Sequence, residues 1–241
     1  MSRWGNPETV AGFSRALPNE TLLRFVESEK RSTPRPLVLD LGCGAGRNAV
    51  PLAALGCHVL GTDNQWPMLE AAARRARTRD VASRTRWALA PMDRLPVPDR
   101  AFDLIVAHGI WNLAATSAEF RRAVAEAARA GRPGAALFLF TFSRNTLAPS
   151  AAPLAGEPFV FTEFAGEPQC FLTEDQLLSE MAAAGFEALS PLTEHNRRRP
   201  GQLDAGGPVI YEGTFRLRSS SAAGPPFGER LGGGSLPTGT S

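Results

Sequence analysis

An apolar run that carries one carboxylate and then breaks into alternating glycines, Val38-Leu39-Asp40-Leu41-Gly42-Cys43-Gly44-Ala45-Gly46, constrains this chain more than any other feature. It reads as a buried strand passing into a turn that glycine alone follows without strain. Glycine reaches φ values closed to other residues and leaves no Cβ in the path of an approaching ligand. A second apolar run, Val59-Leu60-Gly61-Thr62-Asp63, follows about one helix later and ends in a carboxylate. Strand, glycine turn, helix and strand make half of a nucleotide-binding α/β unit. In that unit Asp63 stands where a ribose diol is held.

The turn also selects among nucleotides. A dinucleotide fingerprint is G-x-G-x-x-G, with a pyrophosphate on the helix N-terminus. Here Gly42, Gly44 and Gly46 run G-x-G-x-G, and Arg47 occupies the place of the third fingerprint glycine. Asp40, two residues before the first glycine, repels a diphosphate and favours a cationic ligand. A nucleoside with a positive charge and no phosphate fits, and S-adenosylmethionine (AdoMet) is such a molecule. A nicotinamide oxidoreductase is the weaker reading for the same reasons.

These residues resemble the class I AdoMet-dependent methyltransferases over residues 37–186, more weakly to Arg218. The segment from Val38 to Gly46 is similar to that family's first motif, and Gly61-Thr62-Asp63 to its acidic second-strand site. Met92-Asp93 resembles the adenine-contacting loop, Ala101-Phe102-Asp103-Leu104-Ile105-Val106 the fourth strand, and Arg132-Pro133-Gly134-Ala135-Ala136-Leu137 the turn into the fifth. Gly46-Arg47-Asn48 is similar to the tellurite-resistance and related small-acceptor branch. The resemblance implies AdoMet as cofactor and a Rossmann-like, doubly wound, seven-stranded sheet, mostly parallel with an antiparallel edge hairpin.

The organisation of the chain agrees with one α/β domain. At 241 residues, 43% hydrophobic and 21% charged, it is long enough for a single well-buried core. Strands are expected at 37–41, 58–62, 85–90, 102–107 and 135–142, with helices near 47–55, 67–79, 117–129 and 174–184. Such alternation implies a parallel sheet with helices on both faces and a ligand crevice at the strands' carboxyl ends. Residues 186–192 and 209–217 read as the edge hairpin. Residues 1–36 read as an N-terminal helical cap or lid, 37–218 as the methyltransferase domain, and 219–241, rich in Ser, Gly, Ala and Pro, as a disordered tail.

Methyl transfer from a sulfonium needs alignment and exclusion of water more than a strong base. The expected cofactor residues are Asp40, Gly42, Cys43, Gly44 and Gly46 in the turn, Asp63 and Asn64 after the second strand, Met92 and Asp93 after the third, and Ala107 after the fourth. His108 is the candidate general base, because imidazole ordinarily titrates near neutrality. Trp111, Arg15 and His195 are candidate acceptor contacts, Arg15 with Trp4 and Phe13 in the lid. His195 opens a basic loop, continued by Arg197, Arg198 and Arg199, suited to an anionic acceptor.

Net charge of +2 gives no general case for nucleic acid. The loop His108-Gly109-Ile110-Trp111 lacks the Asn/Asp-Pro-Pro-aromatic signature of amino-methylating DNA enzymes. Cys43, Cys57 and Cys170 have neither metal-ligand spacing nor a disulfide framework, which points to a reducing cytoplasm. No apolar run has the length of a membrane span. The expectation is a cytoplasmic methyltransferase acting on a small molecule, without metal, nucleic acid or membrane. The alternative is a non-catalytic AdoMet-binding or protein-interaction module on the same fold.

Overall fold

The structure, a computed structural model, describes residues 3–196 and 207–219. Two helices precede the sheet, α1 (Pro7–Arg15) and α2 (Glu20–Glu29), each opened by an asparagine cap. Asn6 accepts from the Glu8 amide and Asn19 from the Leu22 amide, satisfying donors that the first helical turn leaves free. Five strands follow: β1 (Leu37–Leu41), β2 (His58–Asp63), β3 (Thr85–Leu89), β4 (Phe102–His108) and β5 (Gly131–Phe142). The helices between and after them are α3 (Ala49–Ala54), α4 (Trp66–Thr78), α5 (Ser117–Ala130) and α6 (Glu174–Ala183). The capping box of α6 pairs Thr173 and Gln176 reciprocally.

The last strands are β6 (Val160–Phe161), β7 (Gln169–Cys170), β8 (Phe186–Ala188), β9 (Thr193–His195) and β10 (Ile210–Leu217). The main sheet runs β3-β2-β1-β4-β5-β10-β8, with β9 also on β10. Strands β1 to β5 pair in parallel, and β10 is antiparallel to β5, β8 and β9. Strand order reverses between β1 and β4, which opens a crevice at their carboxyl ends.

The fold departs from the sequence expectation in three places. The strand anticipated over 186–192 is shorter, β8 ending at Ala188 ahead of Pro191, which has no N–H to give to a ladder, and β9 follows it as an additional strand on β10. The sheet therefore has eight strands. β5 begins at Gly131, and its register jumps from Phe102↔Gly131 to Leu104↔Ala136 to accommodate the Arg132-Pro133-Gly134 turn. The antiparallel β6–β7 pair, which walls the crevice, had no counterpart in the sequence reading.

Alternation along the strands sorts the core into two layers. Leu39, Leu41, Ile105, Ala107, Leu137 and Leu139 face α5 and α6. Val38, Leu104, Val106, Ala136 and Phe138 face α2 and α3. The same parity continues past the core. Asp40 follows Val38, His108 follows Val106, and Phe140 follows Phe138, so all three emerge on the α2–α3 side. Register places His108 opposite Phe140 and Phe140 opposite Glu212 of β10. A row of functional side chains thus lies beneath the N-terminal helices.

Among the described residues, no helix is long and apolar enough to cross a membrane, and no group of three His, Cys, Asp or Glu is placed to hold a metal ion. The tail from residue 220 onward and Arg197, Arg198 and Arg199 lie outside the described residues.

Candidate functional site

The glycine turn sets the geometry of the site. Gly42 and Gly44 have φ of +61° and +53°, in the left-handed region that favours glycine. A Cβ on Gly42 would stand 2.5 Å from Ile110 Cδ1, so the close packing of the turn requires glycine there. The Cys43 amide donates to Thr62 O at 2.9 Å, and the Gly44 amide to Asp63 Oδ2 at 2.9 Å. Asp63 Oδ1 also accepts from the Gln65 amide at 2.9 Å. Asp63 thereby ties the turn to the end of β2. Burial raises its pKa, and the backbone amides of Gln65, Gly44 and Asn64 pull it back.

Two adjoining cavities of about 230 and 220 Å³ open at the carboxyl ends of the strands and share Trp4, Phe13, Gly42 and His108 as walls. The first is lined further by Gly44, Asp63, Asn64 and Met92. The second is bordered by Asp40, Cys43, Arg47, Phe140, Phe142 and Phe164, with the carboxamides of Asn48, Asn112 and Gln169. Eight of the anticipated residues therefore meet at one place: Asp40, Gly42, Cys43, Gly44, Asp63, Asn64, Met92 and His108.

Asp40 is buried, and its Oδ2 has no hydrogen-bond partner. Burial pushes its carboxyl up to about 7; the Ala49 amide and Arg47 act in the opposite direction, and Asp63 adds to the rise. An uncompensated carboxylate beside a cavity is suited to a cationic ligand group. Cys43, whose thiol burial raises well above its ordinary range, is a protonated small wall residue.

The remaining candidates lie elsewhere. Gly46 packs against Val50 and Ala72, and the side chain of Ala107 belongs to the α5–α6 core. Asp93 is turned to Arg122, whose Nε donates to its Oδ2 at 3.1 Å. Trp111 is 1% exposed and sits edge-on to Phe120 in the core, so its indole is not offered to an acceptor. Arg15 borders a separate depression with Pro67, Glu70 and Arg74. His195 is outside the cavity walls, its Nε2 3.5 Å from Glu212 Oε1.

His108 requires a correction. Its ring stacks on Phe140 at 4.1 Å with 7° between planes. Asn19 Oδ1 is committed to the Leu22 amide, so the other end of that carboxamide faces the site. Its Nδ2 donates to Glu212 Oε2 at 2.8 Å and stands 3.3 Å from His108 Nε2. Nε2 thus carries the lone pair, already occupied, and the ring proton is assigned to Nδ1. Burial, reinforced by the Arg47 charge, lowers the imidazole pKa to about 3. The expectation of a group titrating near neutrality fails because burial disfavours the cation.

The sequence reading missed Asn19, Glu212, Phe140, Phe142, Phe164, Asn112 and Gln169. A signal existed for two of them. Asn19 precedes a helical pattern as a cap, and Glu212 is a carboxylate inside an apolar strand. Arg47-Asn48 gains a structural explanation as well. Arg47 Nε donates to Leu17 O at 2.7 Å, and Asn48 Oδ1 accepts from the Asn19 amide at 3.1 Å. Arg75 adds contacts to Ser14 O and Ala16 O, each at 3.3 Å. The link between α1 and α2 is therefore fastened to α4 and the glycine turn, and it carries Asn19 into the site.

Residues 38–134 match the family model described as a methyltransferase domain. The chain is 30% identical over 165 residues to a ubiquinone biosynthesis O-methyltransferase of Methylocella silvestris, covering 66% of this chain and 62% of that one. It is 36% identical over 108 residues to a demethylmenaquinone methyltransferase of Thermus thermophilus, covering 44% of this chain and 46% of the relative. These matches span less than two thirds of either relative's length. A Burkholderia thailandensis 1,6-didemethyltoxoflavin-N1-methyltransferase superposes with a TM-score of 0.60 at 21% identity, over 80% of this chain and 76% of the other, a likeness of fold alone. The strand order, the glycine turn closed by Asp63 and the matched segment agree with one another: residues 38–134 are similar to a methyltransferase domain.

Proposed function

We propose that the protein is an AdoMet-dependent methyltransferase acting on a small-molecule acceptor. The observation that carries this reading is the pair of adjoining cavities, one walled by the Gly44–Asp63 tether and the other by Asp40, whose Oδ2 has no hydrogen-bond partner. When bound, AdoMet supplies an activated methyl group on a sulfonium. Asp63 would hold the ribose hydroxyls, Met92 and Asn64 would flank the adenine, and Asp40 would face the cationic methionine end. Asp93 would act on that loop through Arg122. Trp4 and Phe13 would form the lid suggested for residues 1–36, excluding water from above the glycine turn.

The protein's contribution is alignment. The residues around the two cavities would hold the donor and an acceptor side by side, so that the activated methyl group faces the acceptor's lone pair. His108, with a committed lone pair and a depressed pKa, would not take a proton from the acceptor. His108 positions the acceptor as a flat wall stacked on Phe140. The O-methyltransferase and quinone-pathway relatives and the toxoflavin-type neighbour act, by their names, on small molecules, which supports the same class here.

The test is methyl transfer from AdoMet to a panel of small phenols and nitrogen heterocycles, followed by mass spectrometry across pH. Turnover is expected, and at saturating AdoMet kcat/KM for an acceptor that does not itself titrate is expected to show no inflection near a histidine's ordinary pKa of about 6.5 that depends on His108, so His108→Gln leaves the shape of the profile unchanged. An inflection there that disappears in His108→Gln would restore the base role. Absence of turnover with every acceptor, in a chain that binds AdoMet, would favour the non-catalytic module.

A further inference from the structure

The second cavity has a composition that the donor does not account for. Its walls include Phe140 and Phe142 of β5 and Phe164 from the loop between β6 and β7. Phe142 meets Phe164 edge-on at 5.3 Å, and Phe164 remains 43% exposed, at the outer edge of the wall. The same cavity is bordered by two buried carboxamide residues, Asn112 at 1% and Gln169 at 4% exposure. Asn112 Oδ1 and Gln169 Oε1 are both buried without a hydrogen-bond partner. Among the described residues, the only charged side chains bordering this cavity are Asp40 and Arg47, of opposite sign and beside the turn.

Each feature restricts the occupant. Aromatic walls favour a flat π-system over an aliphatic body of equal area. Buried amide oxygens lacking donors favour a ligand that brings N–H or O–H groups, because an unmet acceptor is costly in a dry site. Walls of phenylalanine, with the Asp40 and Arg47 charges offsetting each other, disfavour an ionised group. Resting on the methyltransferase reading above, we infer that the acceptor is an uncharged, planar aromatic or heteroaromatic molecule. It packs against Phe140, Phe142 and Phe164 and donates hydrogen bonds to Asn112 and Gln169. The anionic acceptor that the sequence suggested for the His195 loop is a different class.

The experiment is calorimetric titration of the full chain, saturated with S-adenosylhomocysteine. The probes are 2,3-dihydroxynaphthalene, 2,3-diaminonaphthalene, the anionic 3-hydroxy-2-naphthoate and the saturated decalin-2,3-diol. The expected result is binding of one or both uncharged aromatic donors, with the naphthoate and the decalin diol at least about tenfold weaker. Phe142→Ala and Gln169→Leu should each weaken the bound probe roughly tenfold while leaving S-adenosylhomocysteine affinity unchanged. Gln169→Leu should not lower the melting temperature of the unliganded protein, since it removes an unsatisfied buried group. That readout separates a recognition role from a structural one.

Three results would overturn the inference while leaving the donor reading intact. They are equal binding of the decalin diol, preference for the naphthoate, and binding of none of the four probes by a chain that holds S-adenosylhomocysteine. Failure of S-adenosylhomocysteine to bind would remove the methyltransferase reading and this inference with it.

Discussion

Asp63→Ala is expected to weaken S-adenosylhomocysteine binding on the order of a hundredfold, from the loss of hydrogen bonds between a charged acceptor and a ribose diol. The carboxylate has two tasks. Its Oδ2 holds the Gly44 amide and its Oδ1 the Gln65 amide, each at 2.9 Å, so removal also frees the turn on which the nucleoside rests. Asp63→Asn separates the tasks, because its amide oxygen still accepts one backbone bond while the charge is lost. Its affinity should fall between those of wild type and Asp63→Ala. Calorimetry on the three proteins reads the order directly. Equal affinity in wild type and Asp63→Ala would place the nucleoside elsewhere.

A second large effect is expected at Asp40, with opposite signs for stability and binding. Burial raises its carboxyl from 3.8 to about 7. The folded protein therefore holds this proton more tightly than the unfolded chain, and stability from this group falls as pH rises between those values. The displacement is worth up to about 4 kcal/mol once the group is ionised. Asp40→Asn removes that cost. Its melting temperature should exceed wild type's at about pH 8 and converge with it near about pH 4. Taking the difference cancels His108, whose depressed pKa acts in the reverse sense.

Binding should move the other way. The ionised carboxylate attracts a cationic ligand, so wild-type affinity for AdoMet should rise relative to S-adenosylhomocysteine as pH passes through about 7, and Asp40→Asn should lose that rise. A more stable protein with a weaker site is the usual relation where a strained or desolvated group serves function. If the variant melts with wild type at every pH, Asp40 carries no uncompensated charge.

How much of this was legible in the sequence follows from where the information lies. The donor half is local. Strand, glycine turn and carboxylate fall within one contiguous stretch, so Asp40, Gly42, Gly44 and Asp63 were readable from spacing alone. The helical reading of residues 1–36 agrees with α1 and α2, and Leu22 and Val26 are the residues that α2 turns to the core. The second cavity and its surroundings are assembled from distant segments. Asn19 meets Glu212 only because β10 inserts beside β5, and Gln169 enters through a two-residue strand too short for a periodic signal.

Two misjudged residues show the same limit. Trp111 follows β4 in sequence, but a 3-10 turn over Trp111–Leu113 rotates its indole into the core. His108 was correctly brought to the crevice, yet its protonation depends on burial and on Asn19, neither of which a motif reports. Residue type suggested the base; environment made it a wall.

The most direct test of the central claim is titration of the purified full chain with S-adenosylhomocysteine, with NADH as the control ligand. The result expected is one-to-one micromolar binding of S-adenosylhomocysteine and none of NADH. A folded chain that releases no heat with S-adenosylhomocysteine, or that binds NADH equally well, would contradict it.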